Sequence, residues 1–341
     1  MNGRRKAAMA FISVLLGTLM LSTACGTNGG TGDEQAASAS GDFPRTIEHA
    51  FGETVIPTDP TRVVAWGWGS ADAAIALGVT PVAMAHQSYG GDDEGVLPWV
   101  REALADSGEA TPAILPAGTD VPFEAIAAAE PDLILAVYSG ITESEYELLS
   151  EIAPTIAYPD APWSTPWRDT IRIVGDALGR VPEATQLLAD IDAEVAEKAE
   201  AHPELAGKSV ALVWDTADAL YVYKPADSRV AFTLDLGLVN PDSVDELSNG
   251  DSTFYFTLSR ENLGELTSDI LVTYADSEQQ STEFLESPAA QLMDQVRRGT
   301  VAEVIGTEFI AAVSPPTALS LTWGLDDYVA LLSDAAEKVD G

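Results

Sequence analysis

From residue 62 onward, short apolar segments alternate with segments of helical periodicity. The segment Arg62–Gly67 (RVVAWG) predicts a buried strand, and Ser70 is suited to cap a helix over Ala71–Leu77 that Gly78 ends. The pattern recurs farther along, where Asp132–Val137 (DLILAV) predicts another buried strand. Because strands that alternate with helices build parallel or mixed sheets covered on both faces, the sequence predicts an α/β fold.

The middle of the chain interrupts this alternation. Residues 167–201 contain two consecutive helical patterns, separated near Pro182, with no strand pattern between them. Strand and helix patterns then resume, including a predicted helix over Glu278–Met293. The predicted organisation is two α/β lobes with central sheets, residues 43–166 and 202–341, which are joined by one helical link and have a ligand cleft between them.

The N-terminus has the parts of an export signal. Basic residues at positions 4–6 precede an apolar run at 7–21, which is short for a membrane-spanning helix. Small residues then lead to Cys25 in a pattern that resembles a bacterial lipobox, although the usual large aliphatic residue three places earlier is absent. We predict a signal peptide over 1–24, lipidation of Cys25, a flexible tether over 25–42, and a location at the extracytoplasmic face of the cell membrane.

Charge balance and the scarcity of reactive side chains argue against several classes of protein. The chain has 17 Lys and Arg against 54 Asp and Glu, a net charge of -37, which argues against nucleic acid and against a basic membrane-binding patch. Its single cysteine excludes an internal disulfide and a zinc–cysteine cluster. After the first strand, Asp72 occupies the position of the third glycine of a dinucleotide loop. We therefore predict no enzymatic activity, no cofactor and no metal site.

Aromatic residues gather at predicted strand ends and in loops. Trp66 and Trp68 follow the first strand, at the edge of the sheet where α/β proteins bind ligands. An aromatic side chain is by default a core residue, as we expect for Trp99 within a helix, but six tryptophans at strand ends or in loops favour an apolar cleft for a bulky ligand. The candidate ligand-binding residues are Trp66, Trp68, Tyr138, Trp163, Trp167, Trp214, Tyr221, Tyr223, Arg229 and Trp323.

Two of the rare basic residues lie near the predicted cleft loops. Arg229 begins the helix after Tyr221 and Tyr223, and Arg168 follows Trp167. Each could contact an anionic ligand or form a surface salt bridge with one of the many carboxylates, and the salt bridge is the favoured interpretation for Arg168.

A short pattern occurs once in each half of the chain. Glu124 lies at a predicted helix start, and Asp132 opens a predicted strand eight residues later; Glu261 and Asp269 repeat this spacing. The helix dipole alone stabilises an acidic residue in a first helical turn, so the pattern also has a purely structural interpretation. The matched spacing favours two related lobes.

The order of these segments resembles one family. The segments RVVAWGWGSADAAIALGVTPVA, FEAIAAAEPDLILAVYSG, EIAPTIAY, LDLGLVNP and LSRENLGELTSDILV, with the mid-chain helix, are similar to substrate-binding lipoproteins of bacterial iron–siderophore ABC importers. The resemblance covers nearly all of residues 43–341. It implies two lobes joined by one long helix, a ferric siderophore whose iron is carried by the ligand, and delivery to a permease and its ATPase. We expect a monomer.

The resemblance also implies roles for individual residues. Glu124 and Glu261 match glutamates that dock with permease arginines in this family. Members that bind hydroxamates have an arginine shortly before the first of these glutamates, and residues 115–121 contain none; members that bind catecholates often use several basic residues, of which this chain has few. Its many tryptophans and tyrosines favour a bulky, weakly charged ferric chelate. Cobalamin, haem, and an adhesion or signalling role without a small ligand remain alternatives.

Overall fold

A computed structural model gives the fold of the chain after the predicted tether. The predicted signal peptide 1–24, Cys25 and the tether up to residue 40 lie outside the described residues. Within the described residues, no helix is long and apolar enough to cross a bilayer. The structure describes residues 41–118, 120–216, 219–250 and 252–339.

The first lobe contains a five-stranded sheet that follows a two-stranded hairpin. Its elements are β1 (Arg45–His49), β2 (Gly52–Ile56), β3 (Val63–Ala65), α1 (Ser70–Ala76), β4 (Ala83–Met84), α2 (Pro98–Ser107), β5 (Ala113–Ile114), α3 (Phe123–Ala128), β6 (Leu133–Leu135), α4 (Glu143–Ile152) and β7 (Thr155–Ile156). The strand order is β5-β4-β3-β6-β7, and all pairings within this sheet are parallel. The two central strands, β3 and β6, are buried along their whole length, as expected for a sheet covered on both faces.

The second lobe contains a five-stranded mixed sheet. The link and this lobe comprise α5 (Trp167–Ala177), α6 (Val181–Ala201), β8 (Val210–Asp215), β9 (Leu220–Tyr223), α7 (Ser228–Asp235), α8 (Asp242–Leu247), β10 (Tyr255–Leu258), β11 (Ile270–Ala275), α9 (Glu278–Leu285), α10 (Asp294–Arg298), β12 (Val301–Ile305), α11 (Thr307–Val313) and α12 (Ser320–Val339). The strand order is β10-β9-β8-β11-β12, and β9 runs antiparallel to both of its neighbours. The predicted α/β class with two lobes is confirmed, whereas the boundaries 43–166, 167–201 and 202–341 stay predictions.

The link consists of two helices that pack against both lobes. α5 packs against α1 of the first lobe, and α6 packs against α12 of the second lobe. Gly179, with a φ of 66°, lies between α5 and α6, and Pro182 occupies the first turn of α6, where it is tolerated. One apolar core includes Ala74 of α1, Ile171 of α5, Ile191 of α6 and Leu325 of α12. The two lobes and the link between them therefore share one continuous apolar core.

Two local predictions are wrong, and three strands were not predicted. Ser70 is the first residue of α1 and not its cap; Gly69 takes the cap position with a φ of 69°, a conformation that glycine adopts without strain. The predicted helix over Glu278–Met293 is wrong, because Pro288 cannot continue a helix and α9 ends before it. The β1–β2 hairpin was not predicted, although its five-residue strands alternate buried and exposed side chains. The strand β7 was not predicted because two residues show no periodicity.

Candidate functional site

An open cleft lies between the lobes at the carboxyl ends of their central strands. Trp68 follows β3, Tyr138 follows β6, and Trp214 lies near the end of β8. Together with Trp163, these rings line an empty space of about 760 Å³, a volume that includes the open mouth of the cleft. Carboxyl strand ends are where open α/β sheets bind ligands, so the topology brings these four predicted residues to the expected place. The remaining lining comes from Tyr89, Ala311, Ser314 and Pro315.

The aromatic rings of the cleft contact one another within and across the lobes. In the first lobe, Tyr138 and Trp163 meet edge to face, with ring centroids 5.8 Å apart. Across the cleft, the Trp68 indole N–H donates to the Pro315 carbonyl at 3.3 Å. Trp163 is 52% exposed and has a φ of 56°, an uncommon backbone conformation for a bulky residue. A large exposed aromatic in such a conformation is typical of a functional position.

Tyr89 is a cleft residue that sequence reasoning missed. Its hydroxyl donates to Asp276 Oδ1 of the second lobe at 2.6 Å, and its ring centroid lies 6.3 Å from that of Trp214. Burial, and then the bond to Asp276, raises the pKa of Tyr89 above its ordinary value, so the hydroxyl stays a donor. The signal was available, because Tyr89 lies in a glycine-rich loop after β4 and so also follows a carboxyl strand end.

Arg229 forms a nearly buried ion pair beside the cleft. Its Nε donates to Asp227 Oδ1 at 2.7 Å, and its guanidinium carbon lies 3.8 Å from the Tyr223 ring centroid. The Asp227 carboxylate also caps α7 by accepting from the Arg229 amide. Burial acts to lower the pKa of Arg229, but the charge and hydrogen bond of Asp227, together with the nearby Tyr223 and Tyr274, outweigh burial and raise the pKa above that of an ordinary arginine. The Arg229 Nη1 is buried and has no hydrogen-bond partner among the described residues.

This ion pair is electrostatically coupled to the cleft. Burial, followed by the charge of Asp227, raises the pKa of Tyr138 to about 12, while Arg229 acts in the opposite direction. The Tyr138 ring lines the cleft, whereas Arg229 and Tyr223, the latter 8% exposed, do not reach its lining. Arg229 forms a salt bridge, but the alternative of a surface salt bridge is wrong about its location. The pair is buried, with side chains that are only 11% and 6% exposed.

Two other predicted tryptophans lie near the cleft but not in its lining. Trp66 lines a neighbouring space in the first lobe, and Trp167 is buried in the first turn of α5, with no hydrogen-bond partner for its indole nitrogen among the described residues. Arg168 stacks on the Trp167 ring at 4.1 Å and forms ion pairs with Asp192 and Asp235. The salt-bridge interpretation of Arg168 is thus confirmed.

The last two predicted aromatics have partners outside the cleft. Trp323, in the first turn of α12, packs against Trp99 with ring centroids 5.5 Å apart and donates to Glu102 Oε1 at 3.3 Å. Tyr221 lies on β9 and meets Tyr255 of β10 edge to face at 5.3 Å. Trp99 is 2% exposed, which confirms that it is a core residue. The structure does not bring Trp323 or Tyr221 to the cleft.

A side chamber extends from the cleft into the first lobe. It encloses about 830 Å³ of empty space, its mouth included. The chamber and the cleft share Trp68 and Trp163 as lining residues, so the two spaces adjoin. Further residues that line the side chamber are Trp66, His86, Gln87, Val121, Ile141 and Glu145.

The pattern repeated in the two halves has a shared structural role. Asp132, just before β6, accepts from the amide and hydroxyl of Thr61 at 2.8 Å. Asp269, just before β11, accepts in the same way from the amide and hydroxyl of Ser209 at 2.8 Å. Each aspartate therefore ties a strand to the chain that enters the neighbouring central strand of its own lobe.

The two glutamates of the pattern are exposed. Glu124 is the second residue of α3, and Glu261 lies in a 3-10 turn at residues 260–265. Beside Glu261, Arg260 pairs with Asp215 at 2.8 Å. A docking role for both glutamates stays a prediction.

The described residues contain no group of three or more histidine, cysteine, aspartate or glutamate side chains that could hold a metal ion.

The sequence profile of the periplasmic binding protein family matches residues 63–304, from the start of β3 into β12. The chain belongs to this family. The match covers both central sheets and the link between them, and it leaves out the β1–β2 hairpin, α11 and α12.

Individual relatives agree with this assignment. The probable siderophore-binding lipoprotein YfiY of Bacillus subtilis (strain 168) is 26% identical over 310 residues, which cover 88% of this chain and 91% of that protein. The petrobactin-binding protein YclQ of the same organism is 24% identical over 268 residues, 76% of this chain and 78% of the relative. The crystal structure of PiaA from Streptococcus pneumoniae TIGR4 in complex with ferrichrome is 34% identical, with a TM-score of 0.79 over 86% of this chain and 99% of PiaA. The resemblance found in the sequence is confirmed.

Proposed function

We propose that this protein is the extracytoplasmic substrate-binding component of an ABC importer, and that it captures a ferric siderophore in the cleft without changing it chemically. The observation that carries the proposal is the ring-lined cleft at the strand ends of two lobes. The proposal is supported by membership of the periplasmic binding protein family and by relatives named for siderophore binding.

The cleft favours a bulky ligand with little net charge. Tryptophan and tyrosine rings offer large apolar faces for dispersion and stacking contacts. None of the described residues that line the cleft is lysine or arginine, and the neighbouring Arg229 is already paired with Asp227. A ferric tris-catecholate has three surplus negative charges, which this chain with its net charge of -37 would repel. A ferric tris-hydroxamate is uncharged, because three hydroxamate anions neutralise Fe³⁺.

Arg229 supplies a polar group that suits such a chelate. Its buried Nη1 has no partner among the described residues, and an unpaired buried donor is unfavourable. Because Arg229 does not reach the cleft lining, the proposal requires the side chains around it to shift when the ligand binds, so that an oxygen ligand of the iron accepts from this nitrogen. Because the guanidinium is paired with the Asp227 carboxylate, it offers a hydrogen-bond donor without an unpaired positive charge. We therefore favour ferric hydroxamates, the class of ferrichrome, over catecholates.

Fluorescence titration tests this proposal. The tryptophans of the cleft should be quenched with one-to-one saturation by ferrichrome, and much less by its iron-free form or by a ferric tris-catecholate. Calorimetry of each ligand separates binding from absorption of the emitted light. Tight binding of haem or cobalamin without any siderophore would show that the ligand is wrong, and binding of none of them would favour an adhesion or signalling role.

The delivery step and the cellular location extend the proposal. Glu124 and Glu261, both exposed, are proposed to dock on permease arginines, and the permease works with its ATPase. Cys25 is proposed to bear the lipid that holds a monomer at the outer face of the membrane, as in relatives that are named lipoproteins. Cys25→Ala should release the protein from the membrane fraction; a variant that stays membrane-bound would contradict the lipid anchor.

A further inference from the structure

The side chamber is a second space that a ligand in the cleft can enter. It adjoins the cleft at Trp68 and Trp163, and its volume of about 830 Å³ is similar to the 760 Å³ of the cleft. A compact iron chelate that binds against the rings of the cleft need not enter the side chamber. A siderophore with a long arm that projects from the chelate could therefore place that arm in the side chamber.

The wall between the two spaces is held in place. The Trp163 amide donates to the Ser139 carbonyl at 3.0 Å, and its ring meets the Tyr138 ring edge to face. The indole lies against Gly140 so closely that a Cβ on this glycine would come within 2.2 Å of the indole nitrogen. The absence of a side chain at residue 140 thus sets where the indole lies, and the indole sets the width of the passage.

The side chamber has an acidic character. None of the described residues that line it is lysine or arginine, and Glu145 is its carboxylate. Glu145 Oε2 accepts both the Thr142 amide at 2.7 Å and the Thr142 hydroxyl at 2.8 Å. These two bonds of the α4 capping box use one oxygen of the carboxylate. Oε1 takes part in neither bond, so the half-buried carboxylate has an oxygen to offer a ligand.

We infer that the side chamber binds a cationic arm of the siderophore, a pendant primary ammonium that pairs with Glu145 while the ferric tris-hydroxamate occupies the cleft. This inference rests on the proposed function. An ammonium donates to a carboxylate in a charge-assisted hydrogen bond, which is stronger than a neutral one. The remaining lining of indole rings and of Val121 and Ile141 suits the methylene chain of such an arm.

Two ligands that differ in one charge test the inference. Wild-type protein is titrated at pH 8 with a linear ferric tris-hydroxamate that has a free terminal amine, and with its N-acetylated derivative. At this pH the terminal amine of the ligand is protonated. We expect the free amine to bind roughly tenfold more tightly than the acetylated ligand, with a preference that shrinks as salt is added.

Glu145→Gln is the matched variant, because glutamine at the third helical position keeps a capping box. It should abolish the preference while leaving the affinity for the acetylated ligand unchanged. Glu147→Gln, an exposed residue of the same helix, is the control and should keep the preference. Equal affinity of wild type for the two ligands, or a preference that survives in Glu145→Gln, would overturn the inference. If neither ligand binds to wild type, the proposed function itself fails.

Discussion

The two lobes share a scaffold but present different walls to the cleft. Each lobe has an aspartate, Asp132 or Asp269, that accepts the amide and hydroxyl of a residue just before a central strand. Each also has an exposed glutamate eight residues earlier, Glu124 or Glu261. These common features stabilise the lobe or face solvent, and none of them lines the cleft.

The two lobes differ in the groups that they place in the cleft and directly beside it. The first lobe contributes Trp68, Tyr89, Tyr138 and Trp163, which are uncharged. The second lobe contributes Trp214 and, directly beside the cleft, the buried pair of Arg229 and Asp227. The shared pattern thus belongs to the scaffold, whereas the proposed ligand would meet aromatic rings of both lobes and, on the second-lobe side, a neighbouring buried ion pair.

The largest expected effect comes from removing one partner of the buried ion pair between Arg229 and Asp227. Asp227→Ala leaves the buried Arg229 guanidinium without its partner and removes the cap of α7, so the free energy of unfolding should fall by about 3–5 kcal/mol. Urea denaturation measures this value. Asp192→Ala, which breaks an exposed pair with Arg168, is the control and should change stability by about 1 kcal/mol or less. Equal losses in the free energy of unfolding for the two variants would show that the buried pair stabilises the protein no more than the exposed pair does.

The aromatic contribution should be similar in both lobes. Trp68→Ala and Trp214→Ala should each weaken siderophore binding by about 1–3 kcal/mol, the scale of one lost aromatic contact. Trp323→Ala, whose ring packs between α12 and α2, should leave the affinity of the folded protein unchanged. Calorimetric titration compares the three variants. A loss of affinity confined to Trp323→Ala would place the ligand outside the cleft.

The aspartates of the shared scaffold should affect stability alone. Asp132→Ala and Asp269→Ala each remove charge-assisted bonds to an amide and a hydroxyl, so each should lower the free energy of unfolding by about 1–2 kcal/mol. Denaturation and ligand titration of both variants check the expectation. A change in affinity for either variant would mean that the scaffold and the cleft are not separable.

The exposed glutamates should have the smallest effect on the isolated protein. The double variant Glu124→Ala, Glu261→Ala should change stability and affinity by no more than about 0.5 kcal/mol, because both side chains are exposed. Uptake of ferric siderophore by cells should nevertheless fall, since the proposed permease contacts are lost. Normal uptake by the double variant would contradict docking through these residues.

Much of the fold could be predicted from the sequence, because its strands and helices have strong periodicity and end at identifiable residues. The buried run at 132–137 contains β6, and the helical stretch at 167–201 contains both helices of the link. The predicted helix over Glu278–Met293 was wrong because it included Pro288, a residue that cannot continue a helix. The strands of two residues depend on pairing with distant neighbours, which the local sequence does not show.

The site was less predictable than the fold. Strand ends brought Trp68, Tyr138 and Trp214 together at the cleft, because parallel strands place their carboxyl ends at one edge of the sheet. Their contact with a ligand stays a prediction. Trp323 was grouped with them although its helix directs it toward Trp99, a contact between distant parts of the chain. Tyr89 was missed although it follows the carboxyl end of β4; only its bond to Asp276, 187 residues away, is invisible in the local sequence.

The central claim is that both lobes enclose one ferric siderophore in the cleft. A crystal structure of the complex with ferrichrome, with an anomalous difference map at the iron absorption edge, tests it most directly. We expect a single iron peak between the rings of Trp68 and Tyr138 on one side and Trp214 on the other, with a chelate oxygen accepting from Arg229 Nη1. An iron peak elsewhere on the protein, or a chelate that contacts one lobe alone, would contradict the account.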